Sequence, residues 1–292
     1  MRFSLTQKAA APVIGDRCVR HLLRYATCQA CADACPVAAL AVVDGNVELA
    51  EERCLHCGDC LFVCPTEAIG GITTVMRHYL DDTLVAPLSF RAASTAELLV
   101  WHRLYHLRAV ACDPDMQPGW VLAVAQLNLT LRQYQEPQWR IVPPNDDGID
   151  TSRRALMRAP ASAARSARVP AGRRVLRQLY PQMSDWLPDI DPRRCQLCGA
   201  CWRTCPELAL RLENENMVTE SARCTGCGNC QAVCQHEAVT LSAGPRHEPV
   251  RQLPLVSASC TSCQRTFLAW RTDRRVCPTC AQHQYGMRGH CC

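Results

Sequence analysis

Two short apolar-rich runs flank a polar turn from Ala39 to Leu49, which reads Ala39-Leu40-Ala41-Val42-Val43, then Asp44-Gly45-Asn46, then Val47-Glu48-Leu49. Two short runs of strand-forming residues joined through an Asp-Gly pair predict a hairpin, because that dipeptide tolerates the left-handed backbone of a tight turn. The stretch Leu208 to Val218 is predicted to be its counterpart later in the chain. From Ser94 onward the pattern changes. Ser94 with Glu97 three positions on forms a capping box ahead of the helix predicted over Leu98 to Leu107. Leu107-Arg108-Ala109-Val110-Ala111-Cys112 then reads as a buried strand. Trp120, Val121, Val124, Leu127, Leu131 and Tyr134 recur at helical spacing, and Trp139 to Val142 reads as another strand. Helix, strand, helix, strand predicts a small α/β unit with a parallel pair.

No G-x-G-x-x-G or G-x-x-x-x-G-K-[ST] follows the strand of that unit, so a docking or scaffold role is expected of it in preference to nucleotide binding. Cys112, at the strand end, is expected to be buried and inert. Residues 149–185 are rich in Ala, Ser, Pro and Arg with too little apolar periodicity for a core, and read as a linker. The net charge of +5 belongs to this segment: Arg153, Arg154, Arg158, Arg165, Arg168, Arg173, Arg174 and Arg177 lie between Thr151 and Ser184 with no acidic residue among them. A solvated tether is the expectation, and a binding stripe for an acidic partner is the alternative. Nucleic-acid binding is not expected, because no aromatic residue interleaves the arginines before Tyr180.

A chain of 292 residues is long enough for two or three compact units. Its 23 cysteines and 5% aromatic content suggest small units held together by metal. A disulfide framework would need an export signal, and Met1 to Asp16 carries Arg2 and Lys8 without an apolar h-region. No apolar run reaches the roughly 18 residues of a membrane span. The expectation is a reducing, cytoplasmic setting with no transmembrane segment.

Cys195, Cys198, Cys201 and Cys205 are spaced C-x2-C-x2-C-x3-C, and Cys224, Cys227, Cys230 and Cys234 repeat the spacing. Thiolates at i, i+3 and i+6 curl around one iron-sulfur cube while the fourth reaches the cube of the other motif. One 4Fe-4S cluster is therefore assigned to Cys195, Cys198, Cys201 and Cys234, and a second to Cys224, Cys227, Cys230 and Cys205. The segment resembles a bacterial-type two-cluster ferredoxin, and Pro206 after Cys205 completes the C-P signature of that family. Gln235 stands where the second proline is usual, which bears on hydrogen bonding near Cys234 and removes no ligand.

The first half repeats the second. Cys54, Cys57, Cys60 and Cys64, with Pro65, form a complete motif; Cys28, Cys31 and Cys35, with Pro36, form an incomplete one. Cys35 to Cys54 and Cys205 to Cys224 are both intervals of 19 residues, the mark of an internal duplication. Tyr25 occupies the position aligned with Cys195, and Cys18 is the natural replacement ligand. The expected sets are Cys18, Cys28, Cys31 and Cys64 for one cluster, and Cys54, Cys57, Cys60 and Cys35 for the other. The alternatives are a three-cysteine 3Fe-4S cluster at the first set, and Cys18 as a small buried hydrophobe.

Ser152-Arg153-Arg154-Ala155-Leu156-Met157 looks like a twin-arginine motif, and residues 152–243 resemble the NapF-type ferredoxins of nitrate-reductase systems. Far inside the chain, the motif is not expected to direct export. The last segment carries Cys260-Thr-Ser-Cys263 and Cys277-Pro-Thr-Cys280 and resembles a zinc ribbon. Four thiolates so spaced suit one structural zinc, with a rubredoxin-type iron as the alternative. His290-Cys291-Cys292 is expected to be a frayed tail.

The expected fold class is α+β. It comprises a ferredoxin-like dicluster unit over 14–76, a small α/β unit over 77–148, the Arg-rich linker over 149–185, a second dicluster unit over 186–245, and a zinc-ribbon-like segment with tail over 246–292. No flavin, pterin, nickel or nucleotide motif accompanies the cysteines, so the chain is expected to be no enzyme in itself. It reads as a polyferredoxin, an electron carrier or electron-transfer subunit of an oxidoreductase complex. Its expected partner is a redox enzyme, with molybdenum enzymes and hydrogenases as the candidate classes. A maturation factor for a metalloenzyme and a nucleic-acid-binding iron-sulfur protein are the competing readings.

Overall fold

The computed structural model describes residues 11–144, 164–246 and 250–281. The Ser152–Met157 motif, Arg153, Arg154, Arg158 and the His290-Cys291-Cys292 tail lie outside the described residues. Two compact units form, one from the described parts of Met1–Leu22 and Gln29–Leu179, the other from those of Leu23–Cys28 and Tyr180–Cys292.

In the first unit, Val13–Ile14 pairs antiparallel with Ile69–Gly70, which brings the start and end of the first pair of cysteine motifs together. The predicted hairpin is present as Leu40–Val43 against Asn46–Leu49. Asp44 and Gly45, at φ 47 and 85, form its two-residue loop in the left-handed region that the right-handed twist of the strands requires. Leu40, Val47, Cys60 and Ile72 form the core beneath it.

The remainder of this unit is a five-stranded sheet in the order Arg140–Val142, Ala109–Ala111, Thr83–Val85, Arg77–Leu80, Arg165–Ala167. The first three strands are parallel and the last two pair antiparallel. The predicted helices run Thr95–Leu104 and Pro118–Gln133, and Glu97 N–H donates to Ser94 Oγ at 3.2 Å, as the capping box requires. Ala109 and Val110 are fully buried, as expected of parallel strands covered on both faces. Cys112 is buried, and burial holds its thiol above the ordinary value.

Glu97 also meets Arg77 side on: Arg77 Nε and Nη2 donate to its two oxygens, the latter at 2.9 Å, while Arg77 lies 5.0 Å from the Trp120 ring centre. Both charges are buried. Their hydrogen bonds are what make this tolerable, and removing one partner of such a pair costs about 3–5 kcal/mol.

Buried His102 accepts from Trp139 Nε1 at its Nδ1, 2.9 Å away, so the ring proton sits on Nε2 facing Glu136. Burial, and then the charge of Arg108, hold its pKa down at about 4 from 6.5. Below pH 6.5 the unfolded chain gains a proton that folded His102 refuses, so stability present at neutral pH is lost as pH falls toward the folded value. The loss is about 2 kcal/mol by about pH 5. Thermal midpoints are expected to fall more steeply with pH in the wild type than in His102→Gln; equal slopes would contradict this role.

The segment expected as a linker departs from that reading in its described part. Arg165–Ala167 pairs with Arg77–Leu80, and Arg173–Leu179 is a helix with Leu176 buried. Thr74 Oγ1 donates to the carbonyl of buried Val169 at 2.7 Å, and Arg174 pairs with Glu67 at 3.1 Å. Single apolar residues separated by arginines leave no visible period, and the charge partners lie far away in sequence.

In the second unit, Ser184–Ile190 pairs antiparallel with Val239–Arg246, with a register shift between Ser184 and Trp186. The predicted counterpart hairpin is Leu210–Glu213 against Asn216–Glu220, and Val250–Pro254 adds a third strand to it. A separate hairpin, Val256–Ser259 with Thr266–Ala269, holds Cys260 and Cys263 in its loop, and Cys277 and Cys280 follow it. Among the described residues no helix is long and apolar enough to cross a membrane.

Candidate metal centres

The three complete motifs share a backbone signature. Two positive φ values recur in each, at His56 and Gly58 (50 and 79), Leu197 and Gly199 (54 and 88), and Gly226 and Gly228 (68 and 78). Alternation between right- and left-handed conformations turns successive N–H groups inward, a nest that suits an anionic cluster. Leu197 N–H donates to Cys195 Sγ at 3.4 Å, and the amides of Asp59 and Asn229 hydrogen-bond Cys57 and Cys227. At Gly226 a Cβ would stand 2.4 Å from the Trp186 ring, so a side chain is excluded by space as well as by conformation.

A second signature follows the fourth cysteine of every motif, including the incomplete one. Ala38, Glu67, Leu208 and Glu237 all have positive φ. Beyond this turn the next N–H returns to the sulfur: Ala39 to Cys35 at 3.1 Å, Ala68 to Cys64 at 3.2 Å, and Ala238 to Cys234 at 3.2 Å. The turn at Cys234 is the same as the others, so glutamine in place of proline at 235 leaves the hydrogen bonding intact.

Cysteines from two motifs gather around each of two hollows. Cys35, Cys54, Cys57 and Cys60 line one hollow together with Leu40 and Ile72. Cys205, Cys224, Cys227 and Cys230 line another with Leu210 and Leu241. Burial, and then the sulfurs of Cys57, Cys31, Cys54 and Cys35, push the Cys60 thiol up to about 12. Burial, and then Cys195, Cys198 and Cys234, push Cys201 up to about 12, and burial with Cys224, Cys227, Cys205 and Cys201 pushes Cys230 higher still. Cys35 is the exception: burial opposes ionisation, but the N–H groups of Val37, Leu40 and Ala39 and the charge of Arg53 bring its thiol below the ordinary value. Buried thiols such as those of Cys60, Cys201 and Cys230 do not ionise unaided, and iron bound by each set would supply the missing positive charge. The donor sets and apolar walls fit iron-sulfur clusters.

The incomplete motif differs locally. Tyr25 is 69% exposed, and Gln29, aligned with the left-handed glycines, has φ −135. Cys18 packs on the first unit's core along with Cys31, Cys35 and Cys54, and is fixed there by its N–H to the Gly15 carbonyl at 3.0 Å. Cys64 is buried in the same unit, whereas Cys28 ends the Leu23–Cys28 piece assigned to the second unit.

The sulfurs of Cys260, Cys263, Cys277 and Cys280 lie within 4.8 Å of one another. Cys277 N–H donates to Cys260 Sγ at 3.3 Å and Cys280 N–H to Cys277 Sγ at 3.4 Å. The amides of Cys277, Cys263 and Ser262 bring the Cys260 thiol down to about 6, while sharing with Cys277 pushes Cys280 up to about 12. A ready thiolate at Cys260, with three more sulfurs gathered around it, is a donor set that a thiophilic dication would complete.

One feature of the site was not anticipated. Asp59 is buried beside Cys57 and accepts from Arg91 Nε at 2.7 Å. Its counterpart is Asn229, buried with no partner for its Oδ1. Alignment of Cys57-Gly-Asp-Cys60 with Cys227-Gly-Asn-Cys230 would have shown the difference in charge, but not the arginine brought from a loop 32 residues away.

Residues 13–68 match a family model described as a 4Fe-4S dicluster domain, and residues 187–235 match a second model of that description. The chain carries two 4Fe-4S dicluster domains. The first domain's match spans Cys18 to Cys64, and the second runs from Leu187 past Cys234. No curated protein matches the chain.

Proposed function

We propose that this protein is a polyferredoxin. It serves as an electron carrier, or as the electron-transfer subunit of an oxidoreductase complex, and relays single electrons through four 4Fe-4S clusters to or from a redox-enzyme partner. The observation that supports this best is the gathering of cysteines from two motifs around each hollow, Cys35 with Cys54, Cys57 and Cys60, and Cys205 with Cys224, Cys227 and Cys230. When bound, such clusters accept and release one electron each, at potentials within about −700 to +450 mV. The chain's own contribution is to hold the thiolates, offer the inward amides to their negative charge, and exclude water with Leu40, Ile72, Leu210 and Leu241. Cys198 is the exposed member of its set, on a groove of about 600 Å³ that Trp202 and Arg203 also line. This groove is the proposed edge for electron exchange with a molybdenum enzyme or a hydrogenase in the cytoplasm. The Cys260, Cys263, Cys277 and Cys280 set is proposed to hold structural zinc.

Anaerobic redox titration followed by EPR, with purification of the native complex, tests the reading. One-electron reducible signals and a co-purifying oxidoreductase are expected; a chain that stays EPR-silent on full reduction would overturn it.

Cys18 is proposed to supply the ligand that Tyr25 lacks. Cys18→Ala is expected to convert or empty one cluster and leave the others. Full iron content with an unchanged EPR spectrum would make Cys18 a packing residue.

A further inference from the structure

Trp270 directly follows the Thr266–Ala269 strand of the C-terminal segment, yet its ring packs on the core of the second dicluster domain, among Ile190, Cys195, Cys201 and Leu210. Its indole N–H is buried with no hydrogen-bond partner among the described residues. A donor left in that state is costly, and one kept in a native fold calls for a role. Cys195, whose Sγ already accepts from the Leu197 amide at 3.4 Å, lies in the core on which the ring packs.

We propose that Trp270 donates its indole N–H to Cys195 Sγ when the Cys195, Cys198, Cys201 and Cys234 cluster is bound, and thereby raises the reduction potential of that cluster alone. The inference rests on the reading that this set holds a cluster. Reduction adds negative charge that spreads onto the cysteine sulfurs, so a donor aimed at one of them stabilises the reduced form more than the oxidised form. Iron binding fixes Cys195 as a thiolate, a much better acceptor than the thiol. The C-terminal segment then has two tasks: its four cysteines hold its own fold, and that fold holds Trp270 against the neighbouring domain. Trp270 is a positioning and tuning residue, and no electron passes through the metal of the segment.

The test is Trp270→Phe in the full-length protein loaded with its metals. Phenylalanine keeps the aromatic packing and removes only the N–H. EPR-monitored titration is expected to show one cluster shifted to lower potential, with its ratio of reduced to oxidised form at fixed solution potential down by about fivefold, the scale of one hydrogen bond. Iron and zinc contents should match the wild type. A Cys195→Ser companion identifies the signal by perturbing the same cluster. Unchanged potentials, an equal shift of all clusters, or loss of iron in Trp270→Phe would overturn the inference. Absence of any signal perturbed by Cys195→Ser, in a wild type lacking iron at this set, would instead overturn the cluster assignment itself.

Discussion

Cys205→Ala is expected to cost the protein the cluster of the following motif, with iron falling by about four atoms per chain. Cys205 lies next in sequence to Cys195, Cys198 and Cys201, and a local reading of the motif would place it with them. Its sulfur instead lines the hollow of Cys224, Cys227 and Cys230, and its charge helps to raise Cys230. Cys201 in turn feels Cys195, Cys198 and Cys234. The EPR signal lost in Cys205→Ala should therefore be the one lost in Cys227→Ala, and the signal lost in Cys198→Ala should survive. A Cys205→Ala spectrum matching that of Cys198→Ala would show that each motif binds its own cube.

Cys277→Ser combined with Cys280→Ser is expected to unfold residues 256–281 locally and leave the iron in place. The segment buries little apolar surface of its own; Leu255 and Ala269 are among its few buried hydrophobics. A two-stranded hairpin such as Val256–Ser259 with Thr266–Ala269 is marginal by itself in water. Apparent metal-binding energies of about 10–16 kcal/mol in small structural zinc sites outweigh any such packing. Hydrogen exchange across the hairpin should rise by orders of magnitude while dithionite still reduces the clusters, with the Cys195 set alone shifted because Trp270 is no longer held. Unchanged exchange in the double variant would mean that the segment folds without metal. A red, reducible C-terminal segment from the native host would mean that iron, with its redox chemistry, takes the place of zinc.

Much of this architecture was legible because the residues that determine it are local. Asp44-Gly45 sets the first hairpin, Ser94 and Glu97 set the start of a helix, and fixed cysteine spacing sets the motifs. The pairing of Ala109–Ala111 with Arg140–Val142 followed from the helix between them. Other features left no local trace. Thr83–Val85 and Arg165–Ala167 are three residues each, too short to show a period, and they owe their conformation to the sheet edges they extend. The left-handed turns at His56, Leu197, Ala38 and Leu208 use residues that do not advertise positive φ, and the wrapping of the cysteines imposes them. The Asp59–Arg91 pair and the packing of Trp270 on the core that holds Cys195 join positions distant in sequence. Charge and hydrogen bonding around the sulfurs are thus tertiary properties, while the cysteine motifs themselves are written in the spacing.

Iron, sulfide and zinc analysis of the full-length protein purified without oxygen tests the account most directly. Four cubes and one tetrathiolate site predict about sixteen irons, a matching amount of acid-labile sulfide, and one zinc per chain. About eight irons or fewer in such a preparation would contradict the assignment of two clusters to each dicluster domain.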